Sequence, residues 1–132
     1  MKLDPHGLLR SFLAIGGGFL VCAAGVAMVT TLTSKWGSAH WRAQQQVSSM
    51  PAMLLNLLVS CGCALLGGAV AGLLAPVQPL LHALTLAIAI LVLAGIASAE
   101  LPRNFSLTYR LALIALPPIA ALAGGILLVL LR

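Results

Sequence analysis

The stretch from Pro51 to Ala75, PAMLLNLLVSCGCALLGGAVAGLLA, contains no charged residue and is long enough to cross a bilayer as a helix. Read at every fourth position it gives Asn56, Ser60, Ala64, Gly68 and Gly72. On an α-helix those positions form a slowly drifting line along one side. The other sides are mostly Leu, Val and Met. Small residues let two helix backbones approach closely in lipid, and Asn and Ser can hydrogen-bond across the contact. The sequence therefore predicts a helix with a narrow packing seam and a broad apolar back.

Composition extends this reading to the whole chain. Of the 132 residues 61% are hydrophobic and 7% charged, and the mean hydropathy is +1.13. A soluble domain carries roughly a quarter charged residues, so lipid is the main solvent here. The net charge of +5 rests on seven Lys and Arg spread from Lys2 to Arg132. They form no basic cluster, which argues against nucleic-acid binding. Anionic headgroups are their natural partners.

Three further runs complete an all-α, four-span reading, an antiparallel bundle in one domain. The first transmembrane helix covers about residues 11–33, after a short polar tail ending at Arg10. Its apolar run is too long for a signal peptide, so it reads as a retained span. Gly16, Gly17 and Gly18 make a thin section there, with Gly17 and Gly18 as packing candidates. No Lys-Ser/Thr pair follows them, which excludes a phosphate loop. Residues 34–50 form the one long polar loop, where Trp36 and Trp41 suit the membrane interface. The second helix covers 51–75 and the third 79–99, joined by Pro76-Val77-Gln78-Pro79. So tight a connection requires an antiparallel hairpin. The fourth helix covers 107–131, with Pro117 and Pro118 near its middle and Gly124 and Gly125 as a further small face. Prolines there free the carbonyls of Leu113 and Ile114 and favour a fixed bend.

Four spans put both termini on the same side as the 76–79 turn. The 34–50 loop and the 100–106 turn lie on the other. Lys2, Arg10 and Arg132 against Lys35, Arg42, Arg103 and Arg110 give little charge asymmetry. The long loop with its tryptophans favours cytoplasmic termini, in a bacterial inner membrane, with dual topology as the alternative. The loop side gathers Thr30, Asn56, Ser98, Glu100 and Tyr109 as a candidate polar pocket. Glu100, three residues from Arg103, reads as a wet ion pair worth about 0–1 kcal/mol rather than a proton relay.

Cys22, Cys61 and Cys63 all lie in apolar segments, unlike a disulfide framework or a zinc site. Cys61 and Cys63 are two apart, so on a helix they point in clearly different directions. His82, one turn into the third helix, is the one candidate cofactor ligand, for haem or a chlorophyll magnesium. Interfacial hydrogen bonding is the simpler role for it.

Asn56 with Ser60, Gly67-Gly68, Ala75-Pro76, Pro79-Leu80-Leu81-His82-Ala83, and Pro117-Pro118 followed by Gly124-Gly125 occur in this order. In this the chain resembles small four-span bacterial membrane proteins of unassigned function, a likeness that implies no activity. In size it is also similar to the small multidrug-resistance transporters. Those use a membrane-embedded glutamate in the first helix, whereas residues 11–33 here contain no acid.

No nucleophile–base pair, metal spacing or nucleotide loop appears, so an enzyme is not expected. The leading expectation is a non-catalytic accessory or structural subunit of a larger membrane assembly. Its partners would be lipids and other membrane subunits, or further copies of itself. The runner-up is a small oligomeric transporter or channel with Asn56, Ser60 and Glu100 on its path. A cofactor-holding subunit using His82 is third.

Overall fold

A computed structural model describes residues 5–36, 50–75, 77–101, 103 and 105–131. They form four helices: α1 (Pro5–Trp36), α2 (Met50–Leu74), α3 (Pro79–Glu100) and α4 (Leu107–Leu131). Among the described residues there is no strand. All four helices are long and apolar enough to span a membrane, which makes the chain an integral, multi-pass, all-α membrane protein. At 1.5 Å per residue α3 is about 33 Å long, while α2 and α4 are each about 37 Å, against a hydrocarbon core of ~30 Å.

α2, α3 and α4 begin and end within one residue of the sequence expectation. α1 does not, because the segment expected as a polar tail is helical from Pro5. Proline is preset for a first helical position, and Leu8 and Leu9 carry the apolar pattern outward. The resulting 32-residue helix is about 48 Å long and so overhangs the bilayer or tilts within it.

Chain direction follows from the contacts. Gly17 faces Leu74, Gly18 faces Gly67 and Ala71, and Gly25 faces Cys63, so α1 and α2 run antiparallel. Asn56 meets Tyr109, Gly68 meets Ala121 and Gly72 meets Leu128, so α2 and α4 run parallel. Ala83 meets Gly125 and Ser98 meets Arg110, so α3 and α4 run antiparallel. Directions alternate along the chain as expected. The packing is not a square, however. The diagonal pair α2 and α4 is the most closely packed, α1 flanks α2, and α3 flanks α4.

Glycine explains the diagonal. A Cβ placed at Gly68 would overlap the Ala121 carbonyl, and one at Gly124 would overlap the Leu65 carbonyl. On the adjoining face of α2, a Cβ at Gly18 would lie 2.5 Å from the Gly67 carbonyl oxygen, and one at Gly67 2.6 Å from that of Gly18. Gly67 and Gly68 thus serve two different neighbours from adjacent positions. Backbones this close bring Cα–H groups onto facing carbonyls, a contact that recurs at helix–helix interfaces.

The core is correspondingly small in its side chains. Ala14, Ala64, Ala71, Ala83 and Ala121 are fully buried, and Leu86 is the largest residue fully enclosed. Large apolar residues instead point outward: Phe12 is 74% exposed and Leu58 69%. That inverted distribution is what lipid as solvent permits, since tails are as apolar as leucine. Pro117 and Pro118 lie within a continuous α4 with both residues buried, so packing holds that section in place.

At the α2–α3 connection Gln78 is left-handed (φ 54, ψ 67) and caps α3 without a side-chain bond. Its carbonyl accepts from the Leu81 N–H at 3.0 Å.

Candidate functional site

α1 packs along α2, touches α3 lightly and barely reaches α4. The gap left on its inner side is a cleft of about 460 Å³. α1 contributes Phe19, Cys22 and Val26, and α3 contributes Ile90, Leu93 and Ala94. Asn56 and Ser60 of α2 and Leu113 and Pro117 of α4 complete it. Among the described residues no charged side chain lines it.

Two members of the expected seam, Asn56 and Ser60, therefore line a cavity, and Asn56 also reaches α4. The remaining members, Ala64, Gly68 and Gly72, are buried in the helix contacts described above, as are Gly18, Gly124 and Gly125. Gly17 is half-buried, and a Cβ there would lie 3.0 Å from Leu74 Cδ1.

The five groups expected to form one polar pocket occupy separate places. Asn56 Nδ2 donates to the Tyr109 hydroxyl at 2.7 Å, joining α2 to α4. Tyr109 is 8% exposed and stacks on Phe105 with ring centroids 5.6 Å apart. It also lines a second cavity of about 380 Å³ on the other flank of the α2–α4 pair, with Met50, Met53 and Thr108. The Asn56–Tyr109 bond thus stands between two cavities, with one partner lining each.

Ser98 is buried and its hydroxyl donates to the Gly95 carbonyl of its own helix at 2.8 Å. Its carbonyl belongs to a different device. Arg110 Nη1 reaches the Ser98 carbonyl at 3.4 Å and Nη2 the Leu101 carbonyl at 2.9 Å. The last carbonyls of a helix have no partner within it, and a cation there also opposes the helix dipole. Arg110, at the start of α4, supplies both to the end of α3. The sequence marks Arg110 as a loop-side charge and, beside Tyr109, as one of the polar groups gathered at that end, and not as a clamp on α3. The signal available was an α3 that ends without Gly or a basic residue of its own.

Glu100 is exposed and lines neither cavity. The expected Glu100–Arg103 ion pair is not formed among the described residues, and Arg110 is the arginine bound at this helix end. Thr30 is exposed on α1 and does not line the cleft.

His82 Nδ1 donates to the carbonyl of Gln78, the residue that caps its helix, at 3.2 Å. Cys22, Cys61 and Cys63 are free thiols. Trp36 closes α1, whereas Trp41 and His40 lie outside the described residues. No known protein family, curated protein or solved structure matches the chain.

Proposed function

We propose that the chain is a non-catalytic accessory or structural subunit of a larger membrane protein assembly, meeting its partner along the outer face of α1. The observation that supports this reading is the unused small face there. The glycines at 17, 18, 67, 68, 72, 124 and 125 are taken up by contacts within the bundle. Gly16, on the opposite side of α1 from Gly18, has nothing within 4 Å of where a Cβ would lie. Ala24 stands two turns further on and is exposed, with exposed Leu20 between them. Small residues at such spacing let a second helix approach in lipid. α1 is also the helix with fewest buried positions.

The test is the size of the particle extracted directly from membranes into polymer-bounded lipid discs. Wild type should exceed 13.5 kDa and contain a different polypeptide. Gly16→Leu should fold and insert, because its side chain would enter open space, yet lose that polypeptide. Discs holding only copies of this chain would favour the oligomeric transporter, the second reading, for which the cleft beside Asn56 and Ser60 speaks. Discs holding one copy alone would reject both.

In this reading the subunit sits in the cytoplasmic membrane of a bacterium, with the start of α1 and the Gln78 turn facing the cytoplasm. Gln78→Cys and Arg103→Cys should react with a membrane-impermeant maleimide from opposite sides, Arg103→Cys in intact cells. Both residues are exposed. Labelling of both from one side would overturn this topology.

A further inference from the structure

We infer that the cleft between α1 and α3 is a binding site for one uncharged amphiphile with a single apolar chain, held through Ser60 and Asn56. Four observations lead there, the first being depth. Ser60, Pro117 and Ile90 lie ten residues from the loop-side ends of their helices, and Ala97 lies three from the end of α3. At 1.5 Å per residue the cleft spans about 5–15 Å below those ends, which is the chain region of one leaflet.

The second observation is width. A volume of about 460 Å³ over a length of about 10 Å gives a cross-section of about 46 Å². A single apolar chain fits that width. The volume itself lies in the ordinary range of small-molecule sites.

The third is the state of Ser60. Hydroxyls in a membrane helix close on a carbonyl of their own helix when no other partner exists. Thr31 does so on Ala27 at 2.7 Å, Thr85 on Leu81 at 2.8 Å and Ser98 on Gly95 at 2.8 Å. Ser60 makes no such bond among the described residues, and its side chain lines the cleft. Asn56, one turn away, uses one N–H on Tyr109, and that bond leaves its other N–H and its carbonyl oxygen to the cleft. Hydrogen-bonding groups at this depth have no water to turn to.

The fourth is charge. Among the described residues no lining side chain is ionic, and Arg110 is engaged at the end of α3. A phosphate or ammonium head brought in beside Ser60 would lose its hydration with no counter-charge in return. The head must therefore be neutral and able to donate or accept a hydrogen bond. The ligand enters sideways from the bilayer, between exposed Ala23 and Ala27 of α1 and exposed Leu93 and Ala97 of α3.

The probe is 1-monooleoylglycerol, with lysophosphatidylglycerol of the same chain as the charged control, added to the full chain in lipid discs. Native mass spectrometry reads the adducts after gentle release. Wild type should carry one monooleoylglycerol and show no preference for the charged lipid over bulk. Ser60→Ala should weaken the adduct about tenfold, the size of one hydrogen bond in a dry site. Ala94→Phe, which fills the cleft without touching a glycine contact, should abolish it. Leu66→Ile, on the exposed back of α2, should leave it unchanged, and circular dichroism should be the same for all three variants. Equal binding of both lipids, several adducts per chain, or an adduct untouched by Ser60→Ala and Ala94→Phe would each overturn the assignment.

Discussion

Gly68→Leu should prevent the bundle from closing. Even the Cβ of an alanine at this position would overlap the Ala121 carbonyl, and that obstacle is backbone, which cannot rotate away as a side chain does. α2 and α4 would have to separate along their whole shared length. Overpacking by small groups costs about 1–3 kcal/mol, which is the expectation for Gly68→Ala. Leucine adds three more carbons to the same gap, and native folds as a class hold only about 5–15 kcal/mol in reserve. Lipid supplies no hydrophobic drive to restore the contact. The variant should therefore insert and stay helical, yet lose its tertiary structure. A cysteine pair engineered across α2 and α4 would report this through loss of cross-linking in bilayers. Asn56→Leu should be far milder, because interhelical hydrogen bonds in membranes average about 0.6 kcal/mol. Leu66→Ile, at a position 58% exposed, should be neutral. If Gly68→Leu cross-links like wild type while Leu66→Ile does not, the seam faces lipid and the packing described here fails.

Arg110→Leu should cost about 2–3 kcal/mol, the range for hydrogen bonds to a charged group together with loss of a cation at a helix C-terminus. Two carbonyls at the end of α3 would be left without the guanidinium that now reaches both. Among the described residues the other donor here is the Leu101 N–H, which reaches the Ser98 carbonyl at a long 3.4 Å, and the last turn of α3 contains no basic residue. Arg110→Lys should recover only part of the loss, since an ammonium is a point charge and lacks the fork that spans two acceptors. Hydrogen exchange is the measurement. Amides in the last turn of α3 should exchange faster in Arg110→Leu, with those of α1 unaffected. Glu100→Gln should leave them at the wild-type rate, because Glu100 is exposed and outside this contact. Uniform exchange across all four helices would mean that Arg110 acts on global stability and not as a clamp.

Spans were legible because an uncharged run of that length has one solvent available to it. The start of α1 was not, because Met1–Arg10 reads as polar by composition while Pro5, Leu8 and Leu9 already satisfy a helix. The small seam on α2 was legible as a line of Ala64, Gly68 and Gly72, but its partner was not. Glycine marks where a backbone comes close and carries no mark of which backbone. Gly67 and Gly68 serve α1 and α4 respectively, and nothing in the letters separates them.

Asn56 and Tyr109 were both candidates for a polar pocket. Their pairing depended on α2 and α4 running parallel in close contact, a diagonal that a four-span count does not dictate. The cleft was the least visible feature. It exists because α1 departs from α3 and α4, and the residues left around it, Phe19, Cys22, Ile90 and Leu93, are the same kinds that face lipid elsewhere.

The diagonal contact has a consequence for the order in which the protein is made. α1 and α2 are neighbours in sequence, and their glycine contact forms as soon as the second span leaves the ribosome. Gly68 and Ala121 are 53 positions apart. At about 5–20 residues per second, α2 waits roughly 3–10 s in the membrane before α4 is synthesised. Throughout that interval its bare backbone face, together with the Asn56 amide whose partner Tyr109 does not yet exist, is turned towards lipid. The helix at the centre of the finished molecule is therefore the most exposed to wrong pairings during biogenesis, and its correct neighbour is the last to arrive.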